Sequence, residues 1–296
     1  MNASSGERLA FSPVAIPQCA FEDAFGIVAK AGFGGIGLRY NLLEDYLDRG
    51  HSLVEVKKLL RRFDLTFTEG GFLAEWQFHG GVPLVCGRKR QGGPEEASEV
   101  LMKRLRIFLE RCAELECINI TAAVALHETG DLAKAAADFA ALCDLGHPYG
   151  LRICLEFIGS APQVRDAKTA NRLVEAANRP NGGLVVDTFF VHQGGTRLTD
   201  LAAVPIDRIL NVQLADARPG PVEKLNMLED RLFPGEGAAH VQDVVSLLCQ
   251  RGYAGWWTVE LFNPEYRTLP AQEVADKAFR TATALLQKTR EDVQRS

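Results

Sequence analysis

Short runs of apolar, β-forming residues alternate along the chain with longer stretches in which apolar positions recur every three to four residues. The first pattern suits a buried strand, and the second puts one stripe of a helix against a core. Strands are expected at 9–12, 35–39, 65–69, 117–121, 152–157, 184–187, 209–214 and 256–260. Amphipathic helices are expected at 21–31, 52–63, 95–114, 131–145, 166–178, 241–251 and 271–288, with a short one around 199–203 after the sixth strand. Ser52 and Asp166 stand where side-chain N-caps belong. Glycine or proline marks the joints ahead of strands, as at Gly34, Gly150, Pro180 and Gly255. Repeated βα units imply a parallel sheet, and eight strands are enough to close it on itself. The expected fold is a single-domain (β/α)8 barrel over residues 1–296.

Composition narrows the function without naming it. Of 296 residues, 47% are apolar and 24% charged, which is ordinary for a globular chain able to bury a core. The net charge of −5 argues against a nucleic-acid surface, which needs a basic stripe. No run approaches a membrane span, and residues 1–7 lack the basic and apolar parts of a signal peptide. The seven cysteines are odd in number, form no C-x-x-C and sit in apolar patterns, as buried thiols in a reducing compartment do. A cytoplasmic protein acting on a small molecule is expected.

The chemistry lies where the later strands end. The runs closing at Glu156, Asp187, Gln213 and Glu260 each stop on an oxygen-bearing side chain. In a parallel barrel those ends converge on the catalytic face. Three carboxylates held together repel one another unless a cation neutralises them. A buried glutamine needs a partner, and its carbonyl oxygen completes a hard oxygen set suited to Mg²⁺ or Mn²⁺. Taken singly, each acid is as well explained as a solvated loop residue, so the expectation rests on the group.

Other residues are candidates for touching substrate. His192 follows Asp187 closely and can reach substrate or a metal-bound carboxylate; the alternative is a surface histidine. His79 and His127 follow the third and fourth strands. Glu69 ends the third strand and is placed to bond a hydroxyl, or else to face solvent. Arg231 precedes Phe233-Pro-Gly-Glu-Gly and can hold an oxyanion, or else pair with Glu229 or Asp230. Two long connections, 70–94 with Trp76, His79, Arg88, Lys89 and Arg90, and 215–239 with Arg218 and Arg231, are candidate lids. Gly32-Phe-Gly-Gly-Ile-Gly37 matches a dinucleotide fingerprint but ends a helix and opens a strand. It therefore lacks the helix N-terminus a pyrophosphate needs and is read as structural.

The segments Leu155-Glu-Phe157, Val185-Val-Asp-Thr188, Val212-Gln-Leu-Ala-Asp216, Arg231-Leu-Phe-Pro-Gly-Glu-Gly237 and Val259-Glu-Leu-Phe262 together resemble the xylose isomerase-like barrels of the sugar isomerase/epimerase superfamily. That superfamily also includes endonuclease IV. The resemblance is densest from Leu151 onward and only architectural before it. It implies a divalent cation held by Glu156, Asp187, Gln213 and Glu260, and a homo-oligomer, since such barrels resemble dimers or tetramers. Glutamine at 213 looks more like hydroxypyruvate isomerase or dehydroshikimate dehydratase than the ketose epimerases, which have histidine. Members often carry histidine three residues after the aspartate, where this chain has Phe190.

A cation chelating adjacent carbonyl and hydroxyl oxygens acidifies the C–H between them and stabilises an enediolate. Glu156 and Glu260 can then take and return the proton. Return to the neighbouring carbon isomerises a keto-sugar or keto-acid, return to the other face epimerises it, and loss of a β-hydroxyl dehydrates it. The expected activity is isomerase or epimerase, with a lyase of the dehydroshikimate or inosose dehydratase type as the alternative. A repair endonuclease fits less well, because no histidine ends a strand and the charge is acidic. A non-catalytic binding relative is the remaining rival, because of Phe190.

Overall fold

The computed structural model describes residues 8–77, 84–85 and 94–295. Eight parallel strands form its frame: β1 (Leu9–Phe11), β2 (Gly35–Arg39), β3 (Thr66–Ala74), β4 (Asn119–Ala123), β5 (Arg152–Glu156), β6 (Gly182–Asp187), β7 (Ile209–Leu214) and β8 (Trp257–Val259). Each pairs in parallel with the next, and β8 returns to β1 through Leu9 opposite Trp257 and Phe11 opposite Val259. The sheet is therefore a closed (β/α)8 barrel with no free edge, as the alternating pattern predicts.

Around it run α1 (Phe21–Ala31), α2 (Tyr40–Asp48), α3 (Leu53–Phe63), α4 (Pro94–Glu114), α5 (Leu132–Gly146), α6 (Ala167–Ala177), α7 (Thr188–Gly194), α8 (Leu198–Ala202), α9 (Val241–Gln250) and α10 (Ala271–Arg295). No helix among the described residues is long and apolar enough to cross a membrane. Ser52 caps α3 in a full capping box with Glu55, and Asp166 caps α6 by accepting from the Thr169 N–H. Each such cap is worth about 1 kcal/mol. Gly32 ends α1 at φ +108°, where an added Cβ would lie 2.8 Å from the Phe279 ring. The glycine-rich stretch is thus a helix stop and a close-packed strand start, as its context implied.

Strand alternation decides what faces inward. Ile153 and Leu155 of β5 belong to the main core beneath the helices, whereas Cys154 clusters separately with Val185 and Leu210 inside the barrel. Glu156 shares the face of Cys154, and Asp187 that of Val185. Gln213 of β7 stands opposite Asp187 on one side and Thr258 on the other. Glu260 lies two residues beyond Thr258, on the same face. Period-two geometry therefore turns four strand ends into one inward-facing set.

Some boundaries differ from expectation, each for a local reason. β4 starts two residues later than 117 because Glu116 is left-handed (φ 58°) and the Cys117 N–H still closes the α4 turn on the Cys112 carbonyl at 2.9 Å. β3 runs on through Gly70 and Gly71 to Ala74, with irregular register against both neighbours. α2 is an added helix, buried on one side through Tyr40, Leu43 and Tyr46. α7 is another, and its N-cap is Asp187 itself. The 215–239 connection is partly ordered as an antiparallel ladder of Asp216–Ala217 against Arg231–Leu232. Within the 70–94 connection, Trp76 is no lid residue. It is fully buried, and its indole N–H donates to the Ala123 carbonyl at 2.8 Å. His79, Arg88, Lys89 and Arg90 lie outside the described residues.

Candidate metal centre

Ligand-capable oxygens of Glu156, Asp187 and Glu260 lie within 4.8 Å of one another, and all three residues are buried. Glu156 and Glu260 line the floor of a cleft of about 420 Å³ at the C-terminal end of the strands, while Asp187 is fully buried and outside its lining. Ser12, Glu69, Gln213 and Arg231 join the floor, and Leu38, Phe72, Leu126, Ile158, Phe190 and Phe262 form much of the wall.

Asp187 does two jobs at once. Its Oδ1 accepts from the Phe189 N–H at 2.8 Å to start α7, and its Oδ2 meets Arg231 Nη2 at 2.6 Å. Glu260 accepts from the Ser12 hydroxyl at 3.3 Å. Gln213 donates its Nε2 to Glu69 Oε2 at 3.1 Å, and Asn211 donates to the same oxygen at 2.6 Å. That leaves Gln213 Oε1 buried without a hydrogen-bond partner.

Electrostatics are dominated by burial of like charges. Burial, then Glu260 and Asp187, push the Glu156 carboxyl well above the ordinary glutamate range. Burial also raises Glu260, with Arg231 opposing and Asp187 adding to the rise. Glu69 is pushed up to about 8 by burial and by Glu260, against the two amide donors. Arg231 is only 1% exposed. Burial works against its charge, but Asp187, Glu260 and Glu156 outweigh that and hold it protonated. When these acids ionise, the one guanidinium among them leaves a negative excess. A divalent cation would remove that excess, and the unpartnered Gln213 oxygen would supply the fourth donor. The residues present fit such an ion, whose hard oxygen preference matches three carboxylates and an amide carbonyl.

The other expected residues separate into groups. Arg231 does not pair with Glu229 or Asp230. It turns inward to Asp187, while Arg218 takes Asp230 and Glu265. His127 is exposed at the mouth of the cleft. His192 is not brought to the cleft: it is half-buried on α7, where burial and then His240 lower its pKa and Asp216 opposes the drop. A substrate-contact role at His192 therefore has no support from its position, because the first turn of α7 points Phe190 inward instead. Phe190 is buried in the cleft wall and lies 4.9 Å from the Arg231 guanidinium, with Phe189 at 4.9 Å and Phe262 at 5.3 Å. His79 is outside the described residues. Ser12 and Asn211 escaped the sequence reading. Asn211 carried a usable signal, since it precedes Gln213 by two in an apolar strand and so faces the same way.

Comparison with known proteins bears on the family and the fold. The profile of the family described as xylose isomerase-like TIM barrel matches residues 25–285. The inosose isomerase of Halalkalibacterium halodurans is 39% identical over 149 residues, which is 50% of this chain and 52% of that protein. The 3-dehydroshikimate dehydratase of Pseudomonas aeruginosa is 29% identical over 272 residues, 90% of this chain and 40% of that protein. The chain thus spans about half the length, or less, of these curated relatives. Among solved structures, the IolI protein with a bound zinc atom superposes with a TM-score of 0.83 at 23% identity, covering 95% of this chain and 99% of that one. With the profile matched from the first helix to the last and the barrel closed around an acid-lined floor, the chain belongs to the xylose isomerase-like TIM barrel family.

Proposed function

We propose that the protein is a divalent-metal-dependent isomerase or epimerase of a small keto-sugar or keto-acid. One observation carries this reading: three buried carboxylates within 4.8 Å of one another, beside an amide oxygen with no partner. Mn²⁺ or Mg²⁺ suits the all-oxygen donor set, and the zinc in the similar IolI structure makes Zn²⁺ a further ion to test. When bound, the cation supplies Lewis-acid polarisation of neighbouring substrate oxygens, which acidifies the C–H between them.

The remaining work falls to side chains. Glu156 and Glu260, two buried carboxyls at the floor of the cleft, are placed to exchange a proton with substrate carbon. Ser12 fixes the Glu260 carboxyl by its hydrogen bond. Arg231, gripped by Asp187 and three aromatic rings, offers positive charge for a developing oxyanion. The apolar wall of Leu38, Phe72, Ile158 and Phe262 excludes water around the transfer.

The same first step serves a lyase. Gln213 and the 29% likeness over 90% of the chain to a dehydratase favour that second reading. The test is solvent deuterium exchange into cyclic keto-polyols and hydroxy-keto acids with metal-loaded protein, followed by mass spectrometry and ultraviolet absorbance. Glu156→Gln or Glu260→Gln is expected to lower exchange by at least about 100-fold while the fold persists. Exchange at the wild-type rate in both variants would overturn the assigned roles. A conjugated, absorbing product identifies the lyase, and exchange without it the isomerase.

A further inference from the structure

We infer that Glu69 is a positioning residue that sets which end of the Gln213 amide faces the acid triad. This rests on the metal reading proposed above. An amide presents a donor end and an acceptor end of nearly the same shape, so shape alone does not orient it. Only the carbonyl end can ligate a cation, and an amide turned the other way would direct N–H groups at the ion.

The geometry supplies the missing constraint. Glu69 reaches across the barrel from β3, and its Oε2 accepts from Gln213 Nε2 at 3.1 Å and from Asn211 Nδ2 at 2.6 Å. Both donors project from β7 two residues apart, so they share one inner face. Asn211 is itself turned by the Thr258 hydroxyl of β8, which donates to its Oδ1 at 3.3 Å. The chain of bonds runs from β8 through β7 to β3, entirely among buried side chains. Glu69 Oε2 accepts from both side chains, and an accepting oxygen selects the NH₂ end of each amide. The consequence is that Gln213 Oε1 is left buried and without a partner. Nothing else in the described residues binds the Gln213 side chain. Glu69 thereby does for an amide ligand what an outer hydrogen-bond partner does for a ligating histidine.

The test is Mn²⁺ titration calorimetry on wild-type, Glu69→Met, Gln213→Met and the double variant, each checked for folding by circular dichroism. Glu69→Met is expected to weaken Mn²⁺ binding by about 10- to 100-fold, the range for loss of an outer-shell partner. Once Gln213 is gone, removing Glu69 is expected to add less than about 3-fold, because its effect travels through that amide. Glu69→Gln keeps a carbonyl acceptor and is expected to restore most of the affinity, which also covers the case in which Glu69→Met does not fold. Unchanged Mn²⁺ affinity in Glu69→Met, or in Glu69→Ala where Met does not fold, would overturn the inference, as would losses that multiply in the double variant. If wild type binds no Mn²⁺, or Gln213→Met binds it normally, the metal reading itself falls and takes the inference with it.

Discussion

Arg231 is the residue at which the most forces meet. Its guanidinium is ion-paired to Asp187 at 2.6 Å, faces three phenylalanine rings, and donates to the Met227 and Glu260 carbonyls at 3.1 and 3.3 Å. Removing one partner of a buried ion pair leaves an uncompensated charge, which costs about 3–5 kcal/mol. Arg231→Met is therefore expected to lose about 3 kcal/mol in urea unfolding of chelator-treated protein. Part of that loss should return on adding Mn²⁺, because the ion supplies positive charge to Asp187. Equal losses with and without metal would mean that the two cations do not share a counter-ion. The sequence placed Arg231 beside the site but not its partner, since Glu229 and Asp230 are nearer along the chain. Asp187 wins because the short ladder of Arg231–Leu232 on Asp216–Ala217 turns the side chain toward the barrel.

At the scale of elements, legibility followed local signals. β2 and β7 lie where the apolar runs put them, because each is bounded by a turn on one side and a polar rim on the other. The four strand-end oxygens were legible for the same reason: alternation fixes direction once the strand is known. α2 and α7 were not, since Arg39 gives α2 no side-chain cap and α7 borrows as its cap the residue that ends β6. The Glu69 link was also hidden, because it joins positions 142 and 144 residues apart, which no spacing rule connects. α3 offers the cleanest test of a signal that was read correctly. Ser52→Ala is expected to lower unfolding stability by about 1 kcal/mol through loss of the capping box, with Mn²⁺ affinity unchanged. A change below about 0.2 kcal/mol would show that the box is idle in the folded barrel.

Over the whole molecule, the acid floor ties stability to pH. A carboxyl whose pKa is raised in the folded protein keeps a proton that the unfolded chain gives up. Its contribution is full below the unfolded value, about 4.3 for glutamate, and is lost as pH rises through the folded value. For Glu69 the upper end of that window is about 8, and Glu156 and Glu260 are shifted in the same direction. Chelator-treated protein is therefore expected to melt at progressively lower temperature between about pH 5 and pH 8. Saturating Mn²⁺ should flatten that decline, because it stabilises the ionised acids. A flat profile without metal, measured by scanning calorimetry, would show that the floor is not strained by its own charge.

The seam between β1 and β8 has a consequence for how the protein is made. Ser12 touches Glu260 across 248 positions of sequence, and the Phe11–Val259 pairing sits beside that contact. During synthesis β1 waits, unpaired on that side, until Trp257–Val259 has emerged. The Ser12–Glu260 contact is thus missing from every nascent chain that stops short of β8.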